Sequence, residues 1–205
     1  MVRAFVAIEL SEELRATLAT IQQGLRQQLE RMVARHVRIS WVRPGSMHLT
    51  LKFLGDTADE SIDPLRAAIE EGVSARHAIT IPLERLGTFP RPQAPRVLWV
   101  GPSGEWEQGR EAQRLTDLHR AIEACCRAAN FAPEERPFSP HLTLARIKEG
   151  AREVGEALAQ SGMLERPVIL GALPVGTIAL MKSDLHPTGS VYTKLWECPL
   201  VSSAT

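Results

Sequence analysis

The chain has 205 residues with 24 basic and 24 acidic side chains, so its formal net charge is zero. Such a balance argues against a protein that coats long duplex nucleic acid, which needs a basic face to release counterions. It leaves room for a local basic pocket around one phosphate. Hydrophobic residues make up 44% of the chain, ample for a core, and the length suits one domain or two small lobes. The cysteines, Cys125, Cys126 and Cys198, are odd in number and lack C-x-x-C spacing, so they read as structural. No leader and no long apolar span stands out, and the chain is expected to be soluble, cytoplasmic and monomeric.

In chain order, Arg3 to Leu10 reads as a buried strand. Ser11 is a good N-cap, and Glu12 and Glu13 suit the positive end of a helix. Leu14, Leu18, Ile21, Leu25 and Leu29 continue it to about Arg35, with a solvated face of Arg and Gln. A short strand follows at Ile39 to Val42, and Pro44-Gly45 turns the chain. The strand His48 to Leu54 closes at Gly55-Asp56, and Ser61 to about Ala75 is a second helix. Ile79 to Leu86 is a strand whose Pro82 suits an edge. A Pro-rich loop from Thr88 leads to a strand at Arg96 to Val100, and Pro102 to Arg110 reads as a surface excursion. Glu111 to Ala129 is a strong helix, and a proline-studded stretch from Pro133 leads to Pro140. After the next strand, Ala151 to Gln160 reads as a short helix. Val168 to Leu170, Val175 to Lys182 and Val191 to Trp196 are closing strands, and the tail past Val201 is expected to fray. Strands joined by short turns, with helices between, fit an α+β body with mostly antiparallel sheets. Two halves of similar grammar suggest a single domain, 1–205, of two pseudo-symmetric lobes.

One phrase occurs twice. His48-Leu-Thr-Leu51 and His141-Leu-Thr-Leu144 are identical and lie 93 positions apart (141 − 48). Successive side chains on a strand point to opposite faces. Each copy therefore has His and Thr on one face and two leucines on the other. Two such strands facing one cleft would gather two imidazoles and two hydroxyls around a small anion. The same parity places Lys52 beside Thr50, as a substrate contact or a solvated lysine. It sends Arg146 to the opposite face, unless the strand ends or bulges. Phe5 and Tyr192 suit stacking on a base or packing in the core and at the rim. His36, His77, His119 and His186 lack a repeated context and read as bystanders.

These residues resemble the 2H phosphoesterases, named for paired H-x-[ST]-x motifs. Within them the chain is similar to the RNA 2′,3′-cyclic phosphodiesterases, once called 2′-5′ RNA ligases. The likeness runs through Arg3 to Leu10, Trp41-Val42, His48 to Gly55, Pro95 to Val100, Arg136 to Arg146 and Gly189 to Leu195 with Tyr192. Ser139 departs from it, since relatives often carry a basic or imidazole side chain there. The first helix and the stretch from Pro102 to Arg110 are also longer than is typical.

The resemblance implies a bilobal fold with both motif strands lining one central cleft. It implies hydrolysis of a 2′,3′-cyclic phosphate to a 2′-phosphate. His48 would be the general acid and His141 the general base, with Thr50, Thr143 and Arg146 on the phosphate. Partners would be RNA ends or small nucleotides with a cyclic phosphate, and neither duplex nucleic acid nor a membrane. Other readings are another cyclic phosphate as substrate, such as ADP-ribose 1″,2″-cyclic phosphate, 2′-5′ ligation by reversal, or a non-catalytic module that binds nucleotides or RNA ends. No metal or cofactor is expected. Neither phrase has a carboxylate near on its face to complete a zinc site, and no Gly-rich loop ending in Lys-Ser/Thr is present.

Overall fold

A computed structural model describes residues 1–168, 170–186 and 189–202, apart from the side chains at 185 and 186. The first half of the chain gives β1 (Val2–Glu9), α1 (Glu12–Met32), β2 (Arg38–Trp41), β3 (His48–Thr57), α2 (Ile62–Val73), β4 (Ile79–Pro82) and β5 (Arg85–Phe89). The second gives β6 (Val97–Gly101), α3 (Arg110–Ala128), β7 (Leu142–Glu149), α4 (Ala151–Ser161), β8 (Ala172–Val175), β9 (Thr177–His186) and β10 (Gly189–Pro199).

Local chemistry accounts for most boundaries. The Ser11 hydroxyl accepts from the Leu14 N–H at 3.2 Å and starts α1. That helix stops at Met32, three residues early, where Val33 takes extended backbone, caps the Leu29 carbonyl with its N–H and packs its side chain against the core. The strand expected over 79–86 is broken after Pro82, which has no N–H for a ladder. Beyond it the Leu83 N–H bonds the Gly171 carbonyl and the Glu84 N–H bonds the Gly101 carbonyl. The chain thereby crosses from a small sheet to the large one and resumes as β5. Of the strand expected at 168–170, residue 169 lies outside the described residues. Val168 and Leu170 bond the Glu84 and Leu83 carbonyls, and the named strand starts at Ala172. Of the expected frayed tail, residues 203–205 lie outside the described residues.

The strands form two antiparallel blocks, β10-β9-β1-β3 and β7-β6-β5, with β2 also on β7. They meet through one residue pair, Leu49 with Leu142. A separate two-stranded sheet pairs β4 with β8. The succession β1-α1-β3-α2-β4 is thus repeated as β6-α3-β7-α4-β8, and the last strands of the two repeats pair with each other. This is the expected α+β, bilobal body.

Helices cover the face of the sheets away from the cleft. Leu65 and Ile69 of α2, and Leu115, Leu118 and Ile122 of α3, are 0–1% exposed. Full burial of each such side chain contributes about 1.5–3 kcal/mol. At the α2–α3 contact the Cys125 thiol sits where a β-carbon on Gly72 would come within 2.5 Å. Gly72 is therefore required for close packing, despite its low helix propensity. Cys125, Cys126 and Cys198 are all free.

Candidate active site

The one residue pair that joins the two blocks lies in the middle of the repeated phrase. Because Leu49 faces Leu142 in antiparallel register, His48 stands across from Thr143 and Thr50 across from His141. Leu49, Leu51, Leu142 and Leu144 are at most 3% exposed, as the alternation requires. His48, Thr50, His141 and Thr143 are half-buried on the other face. The sequence expectation that the phrases face one another is met.

Each imidazole is held by the same device. Nδ1 of His48 lies 3.0 Å from the Ser46 carbonyl, and Nδ1 of His141 lies 2.8 Å from the Ser139 carbonyl. A carbonyl only accepts, so Nδ1 carries the proton and Nε2 of the neutral ring is left as a base. The contact uses the backbone of residue 139, so it does not depend on the Ser139 side chain. Aromatic rings close around both histidines. Phe5 lies 4.6 Å from the His48 ring and Tyr192 meets it edge-on at 5.0 Å. Phe89 meets His141 edge-on at 4.9 Å, with Trp99 at 6.2 Å. This burial disfavours the charged ring and is the main reason that the pKa of His48 falls to about 4. The His141 pKa is lowered by the same cause. The Arg146 charge pushes both down further, against the pull of the two backbone carbonyls. The free cleft therefore holds two neutral imidazoles near one guanidinium at neutral pH.

Two bulges decide what else reaches the cleft. In the β1–β3 ladder Ala7 pairs with Thr50 and Val6 with Lys52, so Leu51 has no partner. In the β6–β7 ladder Trp99 pairs with Thr143 and Leu98 with Ala145, so Leu144 has none. These are the matching leucines of the two phrases. An unpaired extra residue reverses the facing of everything after it. Lys52 and Ala145 consequently turn inward, while Phe53 and Arg146 turn toward the cleft face.

The parity expected for Lys52 is corrected. Its side chain is 2% exposed, and Nζ contacts Glu123 at 2.9 Å and the Ala132 carbonyl at 2.7 Å. It is neither a solvated lysine nor beside Thr50. The bulge allowed for at Arg146 is present and returns that side chain to the face of Thr143. Phe53, which sequence reasoning missed, is 56% exposed with its ring 6.2 Å from Phe5. Its signal was the equivalence of position 53 with position 146, five residues after each histidine. Phe5 is 3% exposed and fixed between His48 and Tyr192, leaving little face for a ligand.

Each bulge is bonded from below by a helix of the opposite repeat. Nε2 of Gln22 in α1 donates to the Leu144 carbonyl at 2.8 Å. The His119 ring in α3 is hydrogen-bonded to the Leu51 carbonyl and stacks on Phe138 at 4.2 Å. His119 is therefore part of the support of β3, which its lack of motif context did not reveal. Gln22 sits within the apolar stripe of α1, one turn after Leu18, and that was its signal. His36 pairs with Glu153 on the surface and His77 is exposed. The His186 side chain lies outside the described residues. Among the described residues no cluster of three His, Cys, Asp or Glu side chains could hold a metal, and no helix is long and apolar enough to cross a membrane.

The family model of the LigT-like phosphoesterases matches residues 8–99 and 108–192. An RNA 2′,3′-cyclic phosphodiesterase of Aeropyrum pernix is 35% identical over 82% of this chain and 89% of its own. One of Methanothermobacter thermautotrophicus is 29% identical over 95% of this chain and 96% of its own. A crystal structure from Thermus thermophilus superposes with a TM-score of 0.73 at 30% identity, covering 98% of this chain and all of that one. The fold is shared too with Escherichia coli LigT solved with 3′-AMP, at a TM-score of 0.72, 23% identity, and coverage of 97% and 98%. With the paired motifs set across one cleft and this match along most of its length, the chain belongs to the LigT-like family of 2H phosphoesterases and is a cyclic phosphodiesterase.

Proposed function

We propose that the cleft opens 2′,3′-cyclic phosphates at RNA ends or on small nucleotides and leaves a 2′-phosphate. Water attacks phosphorus opposite the 3′-oxygen and passes a proton to Nε2 of His141. The P–O3′ bond breaks, and protonated His48 delivers its Nε2 proton to the leaving oxygen. Thr50 and Thr143 donate to the non-bridging oxygens as charge grows there, and Arg146 balances that charge. Phe53 offers an exposed face to the base. Tyr192 acts by packing against His48 rather than by holding the base.

His48 is neutral in the free enzyme, so the acid must be charged by the substrate. The phosphodiester anion raises the pKa of the imidazoles beside it, which loads His48 when the site is filled. One observation carries this reading. Two imidazoles, each with Nδ1 tied to the carbonyl two residues before it, flank a single strand pair with a hydroxyl across from each. The test is hydrolysis of adenosine 2′,3′-cyclic phosphate, with the product isomer resolved by chromatography. Accumulation of adenosine 2′-phosphate supports the reading. Release of the 3′-isomer would reverse the roles of the leaving oxygens. Tight binding of the cyclic nucleotide without turnover would favour a non-catalytic binding module.

A further inference from the structure

Of the three buried polar or charged side chains among the described residues, two lie at the bulges: Gln22 and Lys52. Gln22 is 8% exposed. Its amide nitrogen donates one hydrogen to the Leu144 carbonyl at 2.8 Å and the other to the Val42 carbonyl at 2.7 Å. Those acceptors lie 122 and 20 residues away in sequence. Leu144 is the residue without a partner in the β6–β7 ladder, and its carbonyl also accepts from the Val42 N–H at 2.9 Å. A bulged residue gives up part of its ladder bonding, and this buried carbonyl has two lone pairs, of which the Val42 N–H fills one and the Gln22 amide the other. The glutamine supplies what the bulge removes.

We infer that Gln22 is a positioning residue for Arg146: by holding the Leu144 bulge it keeps the guanidinium on the cleft face. The geometric link is direct. Without the extra residue at Leu144, strand alternation sends residue 146 to the face opposite Thr143. A leucine at position 22 preserves the apolar stripe of α1 but donates nothing, so the register that pairs Ala145 with Leu98 loses its support. The His119 contact with the Leu51 carbonyl is the counterpart at the other bulge. The inference rests on the proposed role of Arg146 at the phosphate.

The experiment is a double-mutant cycle read by calorimetric binding of adenosine 2′-phosphate. It compares wild type, Gln22→Leu, Arg146→Ala and the double variant. Calorimetric stoichiometry reports the folded fraction, so an affinity per folded molecule is obtained separately from stability. Gln22→Leu is expected to weaken binding about tenfold, the scale of one hydrogen bond to a charged group. In the Arg146→Ala background the same change should cost less than about twofold, because the group it positions is gone. Equal losses in both backgrounds, or a folded Gln22→Leu protein that binds like wild type while Arg146→Ala does not, overturns the inference. Wild-type affinity in Arg146→Ala instead removes the proposed phosphate contact, and the inference with it. Should Gln22→Leu fail to fold, Gln22→Met carries the same cycle, since it keeps the length of the side chain and donates no hydrogen to the two carbonyls.

Discussion

Lys52 tests whether the bulge or simple alternation governs the strand. It lies two residues after Thr50 and would, on a regular strand, point at the substrate. In the structure its ammonium is enclosed, at 2.9 and 3.1 Å from the Glu123 carboxylate and 2.7 Å from the Ala132 carbonyl. Replacing it by methionine keeps the stem and removes the charge. Glu123 is then left with a buried, unpaired carboxylate, a loss of about 3–5 kcal/mol for well-buried pairs. The Glu123 side chain is 14% exposed, so some water reaches it and the lower end, about 3 kcal/mol, applies. In a domain of this size that lowers Tm by roughly 6–12 °C. Urea unfolding of Lys52→Met should show the loss, and adding Glu123→Leu should recover a good part of it. Turnover per folded molecule should stay within about threefold of wild type, since the ammonium does not face the cleft. A Lys52→Met protein of normal stability with a strongly raised KM would show that the side chain reaches the substrate and that the bulge is misplaced.

His48→Ala and His141→Ala should each lower kcat on a 2′,3′-cyclic nucleotide by about 10²–10⁴-fold. The double variant should cost less than the product of the two, because acid and base serve one displacement. The exposed His77→Ala control should keep its rate, and a folded His141→Ala enzyme with normal kcat would remove the mechanism. The pH profile of kcat/KM should have both limbs below 6.5, with one near 4, because burial depresses both free imidazoles. A plateau extending to pH 8 would contradict this. The same depression makes stability full above the unfolded histidine value of about 6.5 and progressively lost as pH falls toward 4, since the unfolded chain binds those protons more readily. Urea midpoints at pH 7 and pH 4.5, compared for wild type and His48→Gln, measure that loss. Activity should survive EDTA; loss in chelator and restoration by one divalent cation would demand a metal step. Phe53→Ala should raise KM for a nucleotide by roughly 5–160-fold, the scale of one lost base stack of about 1–3 kcal/mol, and leave a base-free cyclic phosphate unaffected.

The sequence by itself determined the reacting face. A period of two fixes His and Thr on one side of each phrase and two leucines on the other, whatever the rest of the chain does. It also determined α1 and α3 to within a few residues, because N-caps and apolar stripes act locally, whereas the single strand it implied over 79–86 is two strands in different sheets. Tertiary structure alone decided which strands lie side by side, and it set the single Leu49–Leu142 contact that brings the phrases together. The facing of the residues beyond each phrase was likewise a tertiary matter. Leu51 and Leu144 read as ordinary strand leucines, and nothing in the neighbouring residues announces that each lacks a partner. A bulge depends on the register of the adjacent strand and on donors from elsewhere, here Gln22 of α1 and His119 of α3. Alternation alone therefore sends Lys52 to the wrong face, reaches Arg146 only conditionally and leaves Phe53 unseen. The pairing of each helix with the opposite repeat has no trace in local sequence, because only the folded arrangement of the two repeats carries it.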